Sequence, residues 1–139
     1  MSLKVILFAG AAIATLLWAY QISSPRISLS NSSDHKLIEA TISLAKEQLK
    51  FGELQNGEDK ELSYSLLPGE GEYTYRFELS DHSVLSGKCG HFTNFEISKR
   101  VIFLVSDKQV IAQDIHGKPM VCDSLHVSRP ARQVEHAAT

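Results

Sequence analysis

Residues 5–20 read VILFAGAAIATLLWAY, sixteen positions without a charged side chain, and no other segment constrains the chain as strongly. Lys4 and the amino terminus stand before the run, and Ile22 extends it. A basic start followed by an apolar stretch is shared by secretory signals and signal anchors. Counted from Leu3 to Ile22, the segment is about twenty residues long, enough for an α-helix to cross a hydrocarbon core of about 30 Å. Two features favour an uncleaved anchor. The best small-residue match to a cleavage site, Ala12-Ile13-Ala14, lies inside the run, and cutting there would leave Thr15-Leu16-Leu17-Trp18 as an exposed apolar end. Trp18 and Tyr20 also suit the outer membrane interface, where amphipathic rings settle. A cleaved signal and a buried core helix are the other readings. The positive-inside rule puts the N-terminus in the cytoplasm and the chain beyond Gln21 outside it.

Of the 139 residues, about a hundred remain after the anchor (1–22) and a polar tail (128–139), the size of one domain. Lys4 precedes the anchor, so 13 of the 14 Lys and Arg follow it, against 16 Asp and Glu. Such mild acidity gives no electrostatic footprint for nucleic acid and argues against adsorption to anionic lipid heads.

Residues 23–33 (SSPRISLSNSS) are Ser-rich and hold Pro25, which reads as a linker off the membrane. Ser33 or Asp34 is then placed to cap an amphipathic helix over 34–51, with Ile38, Ile42, Ala45 and Leu49 on one stripe and Gly52 at its end. Beyond it the apolar period changes to two. Tyr73, Tyr75, Phe77 and Leu79 alternate with Thr74, Arg76 and Glu78, the cleanest strand in the sequence. Further strands are expected over 62–66, 83–89, 92–105 (interrupted near Lys99-Arg100), 110–115 and 120–127. Short turns between them imply an antiparallel meander. The expected fold is α+β: a transmembrane helix, then one amphipathic helix across a five- to six-stranded antiparallel sheet in a domain over 34–127. A strongly curled, barrel-like sheet is the alternative.

Cys89 and Cys122 are the only cysteines. Two in an exported domain point to a disulfide. With a sequence separation of 33, loop closure is worth about 3–4 kcal/mol in the chain-entropy model. A thiol switch lacks the C-x-x-C spacing, and a zinc site drawn from Cys89, His91, Cys122 and His126 lacks the usual ligand spacings. No G-x-S-x-G motif occurs. Glu70 and Glu72 read as a solvated turn. The sequence therefore offers no catalytic residue, metal ligand or cofactor site. The stripe Tyr73, Tyr75, Phe77 is core first, and a lining for a small apolar ligand second. Lys99 and Arg100 read as a bulge or guarded strand edge first, and a partner contact second.

The layout resembles the small single-pass accessory proteins of Gram-negative bacteria that support ToxR-type membrane-bound transcription regulators, the ToxS-like, TcpH-like and FidL/PsaF-like co-regulators. Leu85-Ser86-Gly87 and residues 94–103 (NFEISKRVIF) are similar to a strand–turn–strand pattern of FidL-like proteins. The resemblance implies a bacterial inner-membrane protein whose C-terminal domain pairs, in the periplasm, with another envelope protein. It carries over no functional residue. A pilus or secretion-apparatus subunit is a competing reading, against which no acid lies between Met1 and Ile22. A secreted inhibitor or carrier of a small apolar ligand is another.

Overall fold

The computed structural model describes residues 2–128; the tail expected over 128–139 lies outside the described residues apart from Ser128. Helix α1 spans Leu3–Ser23. Its Leu- and Ala-rich sequence favours a helix, and its 21 residues rise about 31 Å. The window Leu3–Tyr20 is long and apolar enough to cross a membrane, and none of it is buried. The Thr15 hydroxyl donates to the Ala11 carbonyl at 2.9 Å, leaving no unsatisfied donor there. The helix closes where the Ser24 backbone N–H and hydroxyl both donate to the Tyr20 carbonyl, at 3.0 and 2.9 Å, just before Pro25.

Among the described residues nine strands follow: β1 (Arg26–Asn31), β2 (Leu37–Ser43), β3 (Gln48–Lys50), β4 (Asp59–Ser63), β5 (Gly71–Leu79), β6 (Val84–Phe92), β7 (Arg100–Val105), β8 (Val110–Asp114) and β9 (Cys122–Ser128). They form a four-stranded sheet in the order β4-β1-β7-β8 and a five-stranded sheet in the order β3-β2-β5-β6-β9. The α+β description holds in this coarse sense, one apolar helix and two sheets, and neither sheet closes into a barrel.

The two sheets share one core. β5 contributes Tyr73, Tyr75, Phe77 and Leu79, and β7 contributes Val101, Phe103 and Val105, all buried. Phe103 meets Tyr73 and Tyr75 edge-on across the gap, with centroids 6.2 Å away in each case. Alternation of buried and open residues along β1, β5 and β7 supplies the two inner faces.

Three expectations are corrected. Residues 34–51 are not a helix; they form the hairpin β2–β3, turning where the Leu44 N–H donates to the Glu47 carbonyl at 2.8 Å. The hairpin divides the expected stripe: Ile42 and Leu49 are buried partners across β2 and β3, Ala45 is exposed in the turn between them, and Ile38 is only half-buried. A β-bulge between Leu37 and Glu39 puts Leu37 and Ala40, three positions apart, on the same buried face. Beyond it Ala40, Ile42 and Leu44 return to period two, with Ala40 and Ile42 opposite Phe77 and Tyr75 of β5. The expected linker is also a strand: Ile27 and Leu29 are fully buried in β1. Nor is there one meander. β1 runs parallel to β7, and the whole of β2 to β6 forms the crossover between them.

Candidate binding face

The inward residues of β1, β7 and β8 (Ile27, Leu29, Val101, Phe103, Val105, Val110, Ala112) fill the core. Their outward neighbours form the open face of the four-stranded sheet, in rows fixed by register. Ser63, Arg26 and Arg100 make the row nearest α1. Glu61, Ser28, Ile102 and Gln113 make the next, and Asp59, Ser30, Leu104 and Ile111 the third. A solvent-facing sheet surface is normally polar. Here Ile102 and Leu104 are half-buried and Ile111 is 39% exposed. Ile102 and Leu104 border an open groove of about 500 Å³ walled by Ser28, Ser30, Asp59, Lys60 and Glu61.

Glu61 organises the groove's charged end. It accepts from the Ser28 hydroxyl at 3.0 Å and from Arg26 at 3.2 Å, with the Arg100 guanidinium 3.8 Å away. Partial burial works to raise its pKa, but these donors and charges outweigh it and hold the carboxyl below its usual range. The result is a small apolar strip beside a fixed carboxylate–guanidinium cluster, a composition suited to binding a surface.

The residues singled out from sequence fall in several places. Cys89 and Cys122 are bonded, S–S 2.07 Å, directly opposite each other on β6 and β9. That bond removes both thiolates from the zinc set, and no group of three or more metal-binding side chains occurs among the described residues. Trp18 and Tyr20 are 63% and 52% exposed on the last turns of α1. Tyr73, Tyr75 and Phe77 are sealed in the core and offer nothing to a partner. Tyr75 and Phe77 stack at 5.2 Å, and Tyr73 packs on Phe92 at 5.2 Å. Lys99 braces the fold: its ammonium donates to the His91 carbonyl at 2.6 Å and to Glu96 at 2.9 Å, and lies 5.3 Å from the Tyr73 ring centre. Arg100 opens β7, an interior strand, so the guarded-edge reading does not apply.

Ile102, Leu104 and Ile111 were missed by sequence reasoning. Their signal is the unbroken run Val101–Val105: a strand with one wet face alternates, and this one does not.

No protein-family model matches the chain, and no curated protein matches it. Among solved structures it is similar to the NMR structure of a protein from Eubacterium rectale, at 12% sequence identity and a TM-score of 0.44, over 78% of this chain and 89% of that one. A likeness that loose says nothing about function.

Proposed function

We propose that this is a membrane-anchored accessory protein whose folded domain, on the far side of a bacterial inner membrane, binds and stabilises another envelope protein through the open face of the four-stranded sheet. The observation that carries the reading is the strip Ile102, Leu104, Ile111 beside the Glu61 cluster, an apolar surface with a charged rim on a small domain. Exposed apolar strips with polar rims mark interaction sites. Tethering by α1 keeps the domain near other membrane proteins, so a modest face suffices. The disulfide favours an oxidising compartment, hence the periplasm. A co-regulator of a membrane-bound transcription regulator is the narrower form of this proposal, supported by layout alone. The carrier reading loses its support, since the aromatic stripe offered as a pocket lining is packed core.

The test has two steps. A C-terminal reporter active only beyond the inner membrane gives the topology, and a silent reporter would end the proposal. A photo-crosslinking residue at Ile111 is then activated in intact cells. A discrete adduct with one membrane protein, lost on Leu104→Asp, is expected. No adduct at Ile111 with the fold intact would remove this face from the proposal.

A further inference from the structure

Two loops at the end of the domain next to α1 expose large apolar side chains. Leu67, between β4 and β5, is 50% exposed; Phe95 and Ile97, between β6 and β7, are 66% and 65% exposed. The loops are braced together and are not loose flaps. The Phe95 N–H donates to the Leu66 carbonyl at 2.7 Å, and Asn94 Oδ1 accepts from the Gly69 N–H at 2.9 Å. Glu96 accepts from the Thr93 N–H at 2.7 Å and from Lys99 at 2.9 Å. Phe95 and Ser98 hold positive φ, 61° and 58°, a left-handed backbone that is costly for a bulky residue. A folded chain that spends conformational energy to hold a Phe in water calls for a cover.

Position relative to the helix identifies the cover. The Ser98 N–H donates to the Ser23 carbonyl at 2.7 Å, pinning the β6–β7 loop to the last residue of α1. Ser23 lies three residues beyond Tyr20, a rise of about 4.5 Å. If Trp18 and Tyr20 sit at the water interface, Ile97 and Phe95 stand at headgroup depth, within a zone about 5–7 Å thick.

We infer that Leu67, Phe95 and Ile97 insert into the interface of the bilayer that holds α1, forming a second, shallow membrane contact that fixes the tilt of the domain. This rests on α1 as an anchor but is independent of any protein partner. Charges at this end are balanced: Arg26 and Arg100 engage Glu61, Lys99 engages Glu96, and Glu70 is exposed in the β4–β5 loop. The contact is therefore apolar, and it holds on zwitterionic lipid as well as on anionic lipid. Its consequence is that the row Ser63, Arg26, Arg100 faces the membrane and the Ile102–Leu104 strip is presented at a set height above it.

The test uses the full chain in vesicles of phosphatidylcholine, alone or with phosphatidylglycerol, carrying bromine on the upper acyl chain. Trp18, the single tryptophan, reports the anchor in the parent protein. Phe95→Trp and Ile97→Trp, each with Trp18→Phe, report the loop, and Ile111→Trp with Trp18→Phe is the distal control. Emission from positions 95 and 97 is expected to shift to the blue and to be roughly halved by bromolipid in both lipid mixtures, as for rings at the interface. Position 111 stays in water. Quenching of Trp18 but not of positions 95 and 97 overturns the inference and leaves the anchor standing. That outcome would return the loop to the surface available to proteins. Failure to quench Trp18 removes the anchor and the inference together.

Discussion

The hydroxyls of Tyr64 and Tyr73 lie 2.5 Å apart inside the core, each serving the other as hydrogen-bond partner. Both rings are at least 96% buried, and they meet edge-on at 6.1 Å. Tyr73→Phe leaves the Tyr64 hydroxyl without that partner, at a cost of about 1–3 kcal/mol. Removing both hydroxyls replaces the pair by apolar groups of the same shape. The double variant with Tyr64→Phe is therefore expected to be more stable than the sum of the single losses. Urea unfolding of the four proteins in detergent measures the coupling.

The same pair sets an alkaline limit. Burial pushes the Tyr64 hydroxyl up to about 12 and that of Tyr73 higher still, against an ordinary value of 10.0. Between pH 10 and the native values the unfolded state releases protons that the native state keeps. Stability is thus full below pH 10 and falls by about 1.4 kcal/mol per pH unit per tyrosine above it. Tyrosinate absorbance should rise for these two residues together with loss of the fold. Tyrosinate formation in a still-folded protein near pH 10 at Tyr73 would contradict the sealed core.

The disulfide ties β6 to the edge strand β9 of the five-stranded sheet, where Cys89 and Cys122 face each other, and closes the loop that carries β7 and β8 of the other sheet. Cys89 is fully buried. Replacing both cysteines by serine should lower stability by about 3–4 kcal/mol on loop entropy alone. Melting of the parent protein with and without reductant checks this, and reductant should not change the melting of the double Ser variant.

Much of the architecture was legible where side-chain period and pairing agree. The run from Val5 to Tyr20 and the alternation Tyr73, Tyr75, Phe77 read correctly as a lone apolar helix and a half-buried strand. The hairpin β2–β3 did not, because Ile42 and Leu49, seven positions apart as on one helix face, are partners across two strands joined by a turn. β1 was hidden by its serines: Ser28 and Ser30 are the open face of a strand whose other face is Ile27 and Leu29. The parallel pairing of β1 with β7 is a long-range event that no local pattern encodes. The open face was missed for a related reason. Only the sheet pairing brings Ile111 to the surface that carries Ile102 and Leu104.

Asn31, within the stretch expected to be a linker, is a fully buried polar hub. Its amide donates to the carbonyls of His35, Leu54 and Gln55 at 2.9, 3.1 and 3.2 Å, and its oxygen accepts from the Ser33 N–H and hydroxyl at 3.0 and 2.6 Å. Asn31→Leu strands these groups and should cost about 3 kcal/mol or more. Asn31→Asp sets a carboxylate against three carbonyl oxygens. That variant should regain part of its loss as pH falls and the acid acquires a proton to donate. Urea midpoints at neutral and acid pH distinguish the two variants.

Next to that hub, Asp107 and Asp81 flank His35 at 3.2 and 3.9 Å. The Asp107 carboxyl is held below its usual range first by the Asp34 N–H, which donates at 2.9 Å, and then by the His35 ring. Asp81 is lowered chiefly by hydrogen bonding from Ser83. Glu61 is lowered by Ser28, Arg26 and Arg100 against the opposing pull of burial. Native carboxyls with depressed pKa bind fewer protons than unfolded ones. Their contribution is therefore complete above the ordinary carboxylate range, about 4, and is lost as pH falls through the native values. All three side chains are more than a third exposed, so each effect is small and is screened by salt. Denaturant midpoints should fall steadily below about pH 5. Asp107→Asn, which keeps an acceptor for the Asp34 N–H but cannot ionise, should flatten that slope. An unchanged slope would place the acid sensitivity elsewhere.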